Sequence, residues 1–160
     1  MAKTKVFYSF HFDNDVMRTQ LVRNIGALES NQPVEANDWE TVKKKGDKAI
    51  EDWIDSKMKD CDCVVVLVGE KTSERPWVKH EIKKAWNDKK GLLAIHVNDL
   101  KDPNDGVGKK GKNPLDHFTY KRNGVSKTPP CITPKASDAY NDIKNNIESW
   151  ISDAIKISKG

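Results

Sequence analysis

The sequence predicts an α/β protein: an open parallel sheet of four to five strands flanked by helices, with a long loop and an extra C-terminal helix. Two runs, "CDCVVVLVG" (Cys61 to Gly69) and "LLAIHV" (Leu92 to Val97), are apolar but for Asp62 and His96, as strands covered on both faces tend to be. An amphipathic helical segment separates them, and a strand-helix pair precedes them. That alternation is how parallel sheets are built.

The first strand is "KVFYSF", Lys5 to Phe10, a short apolar and aromatic run that ends at a polar turn. Asp13 or Asn14 can cap the helix that follows, and Met17, Leu21, Ile25 and Leu28 recur at helical spacing up to about Ser30. Val34 to Asn37 is a candidate second strand, with Asp38 and Trp39 at its exit. The segment "ETVKKKG" reads as a loop closed by Gly46, before a helix in which Ala49, Ile50, Trp53 and Ile54 share a side.

After the central strand comes "EKTSERPWVKHEIKKAWNDKKG". Pro76 suits its first helical turn, the lysines suit its last, and Gly91 suits its stop. From Asn98 to about Lys135 the periodicity breaks into a long loop rich in Gly, Pro, Lys and Asp, in which "PPCIT" is a candidate edge strand. Tyr140, Ile143, Ile147, Trp150, Ile151 and Ala154 form the apolar stripe of a last helix, about Ser137 to Ser158. We therefore expect one domain over residues 1–160, with its core in 1–100, a loop-rich region in 98–136 and a helix in 137–158.

The 160 residues carry a net charge of +4, with 36% hydrophobic and 32% charged side chains. The lysines occur in short clusters, Lys43 to Lys45 and "GKKGK" (Gly108 to Lys112), among many carboxylates. That pattern suits an anionic ligand better than nucleic acid, which calls for a denser basic stripe. The second cluster reads as a solvated loop. Cys61, Cys63 and Cys131 are odd in number and lack CxxC spacing, so the expected setting is a reducing cytoplasm without a disulfide framework or zinc site. No signal peptide or membrane-spanning run is visible.

In parallel sheets ligands gather at the carboxyl ends of the strands. That rule selects Ser9, Phe10 and His11 after the first strand, Asp38 and Trp39 after the second, and Gly69 and its sequel after the third. In "WVKHEI", at 100° per residue, Val78, Ile82 and Ala85 form the buried stripe and Glu81 lies about 70° from its centre, with Trp77 on the same flank. Glu81 is thus at the border of core and solvent. Two readings stay open on spacing alone: a cleft carboxylate perturbed by partial desolvation, or a surface charge paired with Lys84. His11 has no Ser or Cys partner for a nucleophilic triad. A phospho-receiver needs an Asp where Gly69 stands; phosphate-loop glycine patterns are absent where a strand-helix turn would require them, since the glycine-rich "GVGKKGKNP" lies inside the long loop, and HExxH is missing. Trp39, between Asp38 and Glu40, belongs to no apolar stripe and invites a stacking partner.

Three boxes in order, "KVFYSFHFDND", "NDWETVKKKGDKAIEDWI" and "DCDCVVVLVGEKTSERPWVKHEI", resemble the first strand, the BB loop region and the central strand with its Trp-x-x-x-Glu helix in TIR (Toll/interleukin-1 receptor) domains that cleave NAD. "GKNPLDHF" and the last helix look most like the bacterial TIR-like proteins of Thoeris antiphage defence. The resemblance implies a flavodoxin-like TIR fold and an NAD glycohydrolase or cyclase. Under it Glu81 matches the catalytic glutamate, while Ser9, Phe10, His11, Asp38, Trp39, Lys45 and Trp77 match the substrate pocket. His11 stands where many relatives have Arg, and "KKKG" where many have Pro-Gly, which leaves the product open.

The resemblance further implies NAD as substrate, no cofactor and no metal, and a cyclic ADP-ribose product read by a separate effector. It admits a homo-oligomer and a phage-derived trigger, and gives no role to a membrane. The alternative expectations are a non-enzymatic interaction module that uses Trp39 and the BB loop, and a nucleotide sensor that binds without cleaving.

Overall fold

At the centre runs β3 (Cys63–Val68), every side chain of which is buried. The computed structural model describes residues 5–9, 29–30, 44–59, 61–70, 72–74, 76–100 and 108–159. On one side β3 pairs with β1 (Lys5–Ser9) and on the other with β4 (Gly91–His96), both parallel to it. Outside these lie two-residue edge strands, β2 (Glu29–Ser30) beside β1 and β7 (Cys131–Ile132) beside β4. The sheet order is β2-β1-β3-β4-β7, all parallel, which is the predicted α/β architecture. A parallel sheet of this kind must be covered on both faces, and two apolar clusters do so.

On one face Phe7, Val64, Val66, Val68, Leu92 and Ala94 meet two helices, α1 (Asp47–Met58) and α2 (Pro76–Asn87). On the other, Val6, Tyr8, Val65, Leu67, Leu93 and Ile95 meet α3 (Ala139–Lys159) through Ile143, Ile147 and Ile151. Successive strand residues alternate between these clusters, as the pleat requires. Cys61 and Cys63 are buried free thiols. Burial pushes Cys61 up to about 11 and Cys63 higher still, so both are packing groups and not nucleophiles. No described helix is long and apolar enough to cross a membrane.

Several boundaries differ from expectation. Glu29 and Ser30, expected at the end of a helix, pair as a strand with Lys5 and Val6; the rest of that helix and the strand expected at 34–37 lie outside the described residues. Tyr140 is 38% exposed, and the buried residue at that end of α3 is Ala139. Gly91 does not stop α2. Lys89, at φ 59, is the left-handed residue, and Lys90 N–H to Ala85 O (3.0 Å) with Lys89 N–H to Trp86 O (3.1 Å) close the helix end in a Schellman pattern. Gly91 opens β4 instead, because a β-carbon there would stand 2.7 Å from Ile155 Cγ1 of α3.

The region expected as one long loop contains a hairpin, β5 (Tyr120–Arg122) and β6 (Val125–Lys127), turning at Asn123 (φ 51) and Gly124 (φ 78). Both central residues take positive φ, which is the type I′ geometry that Asn-Gly favours. The hairpin is fixed by Arg122. Its guanidinium stacks 4.0 Å from the centre of the Trp86 ring and donates to the Trp86 carbonyl and to Ser158 O at 2.5 Å. A cation therefore satisfies carbonyls in the last turns of α2 and α3 together, where the helix dipoles favour positive charge. Tyr120 meets Trp86 edge to face at 5.1 Å.

Arg122→Ala leaves two half-buried helix-end carbonyls without that donor and removes the stack on Trp86. It is expected to lower stability by roughly 2–4 kcal/mol, seen as a drop in Tm. Arg122→Lys is expected to recover less than half, because a single ammonium cannot stack and bridge two carbonyls.

Candidate functional site

Two strands end in polar residues on the face that α1 and α2 cover. Ser9 closes β1 on the Phe7 side of the pleat, and His96 closes β4 on the Leu92 and Ala94 side. Ser9 lies opposite Val66, and His96 opposite Val68. Across β3, then, the two face the same layer at the carboxyl edge of the sheet. Four buried side-chain atoms among the described residues have no hydrogen-bond partner: Ser9 Oγ, Glu81 Oε2, His96 Nδ1 and Asn98 Oδ1. All four belong to the strand ends or to α2, whose Val78 and Ile82 pack on this face.

Glu81 is buried, with 8% of its surface exposed. Its helix is held by Val78, Ile82, Ala85 and Trp86 in the core, and this packing carries the neighbouring carboxylate in towards β1. Burial pushes the Glu81 carboxyl up to about 8 from an ordinary 4.5, while the Ser9 hydroxyl pulls it back. Ser9 is thus near enough to favour the ionised form, yet neither Ser9 Oγ nor Glu81 Oε2 completes a hydrogen bond. The surface pairing with Lys84 does not occur. Lys84 bridges to Asp88 at 3.0 Å, one turn on. A carboxylate held in the interior with an oxygen unfilled is costly in an isolated fold, and an incoming cation or hydroxyl is the natural remedy.

The exit of β3 is shaped by Gly69, whose N–H donates to Thr72 Oγ1 at 2.8 Å. Against it lies Gly111: a β-carbon there would stand 2.1 Å from the Gly69 carbonyl oxygen and 2.9 Å from that of Glu70. Gly108 N–H donates to Asn98 O at 2.7 Å. The second lysine cluster, expected as a solvated loop, does expose Lys109, Lys110 and Lys112, while its glycines pin its backbone over the exits of β3 and β4. Its signal in the sequence was the glycines between the lysines, not the lysines themselves.

Of the residues expected at the pocket, Ser9 and Glu81 come together. Lys45 is exposed in the turn that leads to α1. Phe10, His11, Asp38 and Trp39 lie outside the described residues; Trp77 lies in α2, and its side chain is outside them. A separate trio, Glu51, Asp55 and His80, brings ligand atoms within 4.8 Å of one another between α1 and α2, with His80 Nε2 3.2 Å from Asp55 Oδ1. That short contact is a hydrogen bond between neighbouring helices.

The parallel α/β fold agrees with a wider match. Residues 7–102 fit the family model described as the Thoeris protein ThsB, TIR-like domain. The chain belongs to the ThsB TIR-like family. A curated relative, "Putative cyclic ADP-D-ribose synthase ThsB1" of Bacillus cereus (strain MSX-D12), is 34% identical over 125 residues, covering 75% of this chain. The chain spans 65% of the length of that relative.

In this ThsB-family chain the folded protein keeps the Glu81 proton between about pH 4.5 and 8, whereas the unfolded chain has released it. Stability therefore declines as pH rises through that window. Glu81→Gln removes the decline. Thermal unfolding is expected to show the variant matching wild type near pH 4 and exceeding it by on the order of 3 kcal/mol at pH 7.5. Gly111→Ala, in contrast, is expected to destabilise at every pH, since backbone oxygen cannot swing away from the added methyl.

Proposed function

We propose that this protein cleaves the nicotinamide-ribose bond of NAD and closes the product into a cyclic ADP-ribose isomer that serves as an antiphage signal. The observation that carries the reading is Glu81, a buried carboxylate with an unfilled oxygen on the helix after the central strand. The name of the Bacillus cereus relative supports cyclisation, and family membership supports a part in Thoeris defence.

In NAD the nicotinamide ring carries a positive charge, so the group that enters beside Glu81 brings the cation that the site lacks. Its approach favours the carboxylate over the acid, and binding releases a proton. When the bond between the ring nitrogen and the anomeric carbon breaks, the electron pair leaves with nicotinamide and neutralises it. Positive charge then collects on the ribose as an oxocarbenium ion. Glu81 faces that charge in a site of low dielectric, where a fixed carboxylate stabilises it far more than water does. The Ser9 hydroxyl orients the carboxylate or a ribose hydroxyl. An internal nucleophile on the adenosine part, in place of water, forms the new bond to the anomeric carbon and gives up its proton to solvent.

In this reading NAD is substrate and not resident cofactor, and the protein acts in the cytoplasm. A phage component switches on a homo-oligomer, and a separate effector protein reads the product. A mere interaction module would have no use for a buried carboxyl with an unfilled oxygen.

Chromatography of NAD incubated with protein, with and without lysate of infected cells, tests this. Wild type is expected to release nicotinamide and a cyclic product, and Glu81→Gln to lose at least about a thousandfold in rate. Full turnover by Glu81→Gln would sink the proposal. The kcat/KM of wild type should also rise with pH to a plateau above about 8, because the free protein must lose the Glu81 proton first.

A further inference from the structure

The Glu81 site accounts for two of the four unpartnered buried atoms. The other two, His96 Nδ1 and Asn98 Oδ1, belong to residues 4% and 7% exposed at the end of β4. They sit where the lysine loop is anchored. Gly108 is tied to the Asn98 carbonyl at 2.7 Å, and Gly111 rests on the Gly69 and Glu70 carbonyls. Lys109 and Lys110 lie between the two anchors, so their backbone is held at the carboxyl edge of the sheet. Among the described residues no salt bridge engages Lys109, Lys110 or Lys112.

We propose that His96, Asn98 and the Gly108–Lys112 loop form a second subsite, which binds the diphosphate of the dinucleotide whose ribose Glu81 faces. This rests on the NAD reading for the identity of the molecule. The subsite itself rests on separate atoms.

The chemistry of the groups points to a phosphate. Lys110 supplies an exposed ammonium, as a point-charge partner for phosphoryl oxygens. Its charge reaches His96: burial first, and Lys110 next, hold the imidazole below its usual range, with Asp99 opposing them. A neutral imidazole keeps one N–H to donate and, unlike an imidazolium, adds no repulsion against Lys110. The Asn98 side chain can offer either its oxygen or, turned over, its amide N–H. An anion between Lys110 and the strand end fills these positions and screens the lysine from the ring.

Spacing fits the dinucleotide. Ser9 and His96 lie on one face, two strands apart. At about 4.8 Å per strand, the step across the sheet is roughly 10 Å. A nicotinamide ribose held at Glu81 thus sends its phosphates along the edge towards β4.

The test uses Lys110→Glu, Lys110→Arg and, as control, Lys144→Ala, an exposed position on α3. Titration calorimetry is run with inorganic pyrophosphate, inorganic phosphate, ADP and ADP-ribose, and imidazole resonances are followed by NMR. The subsite predicts saturable binding of ADP-ribose, ADP and pyrophosphate that shifts the His96 signals. Lys110→Glu should weaken it at least tenfold, with Lys110→Arg within threefold of wild type and Lys144→Ala unchanged. In turnover, Lys110→Glu should raise KM for NAD at least tenfold and alter kcat little.

Binding of ADP-ribose that leaves His96 unmoved, or that is indifferent to Lys110→Glu, overturns the proposal. So does binding of free phosphate and pyrophosphate without ADP-ribose, which would mark a site for the free anion. If NAD is not turned over at all, the Glu81 chemistry fails, while the binding data still decide the subsite.

Discussion

The structure turns on one constraint: a carboxylate must be held inside the apolar layer between the sheet and α2. Val78, Ile82, Ala85 and Trp86 commit α2 to the core, and they take Glu81 with them. Burial disfavours the charged form and, among the described residues, the Ser9 hydroxyl only partly opposes it, so the fold is destabilised whenever Glu81 is ionised. Much of the remaining structure keeps α2 from relaxing that penalty by moving outward. The Schellman closure at Lys89 and Lys90 fixes its far end, and Arg122 ties its last turn to α3 through Trp86 and Ser158. Lys90 does the same for α1, donating to Lys59 O and Cys61 O at 3.1 and 2.8 Å. Helix ends locked by cations on one edge leave the opposite edge free to bear unfilled polar groups.

Those unfilled groups are not scattered. Ser9, His96 and Asn98 sit at the exits of β1 and β4, and Glu81 on the helix that follows β3. Parallel sheets concentrate function at this edge because strand ends release the backbone into loops while neighbouring helices begin there. In this chain the edge has two parts, a carboxylate under β1 and β3 and a lysine loop over β3 and β4. A carboxyl that a nearby cation would ionise at one part and lysines at the other suit a molecule that is cationic at one end and anionic in its middle.

The parts of the fold legible in the sequence were those written in local periodicity. The β3 and β4 runs, the stripe of α3 and the stripe of α2 follow from side-chain spacing alone. Glu81 was placed at a border by the same geometry. Its burial was not legible, because that depends on how closely β1 approaches across the sheet. The hairpin was legible in "NG" and was overlooked inside a polar stretch; its anchor, Arg122, acts on two helices 36 residues away in either direction. The roles of Gly91 and Gly111 are set by Ile155 and Gly69, which no local pattern reveals. His96 read as one more strand residue until its ring nitrogen proved to be without a partner.

The central claim is that Glu81 is a buried carboxyl waiting for a cation. Carbon NMR of its side-chain carboxyl measures this directly, by titration of the free protein and of the protein saturated with nicotinamide riboside, which carries the cationic ring without a phosphate. The account predicts titration near 8 in the free protein, and a fall of at least one unit with the riboside bound, as a nearby positive charge favours the ionised form. An ordinary value near 4.5 in the free protein, or a pKa that the bound riboside leaves unchanged, would contradict it.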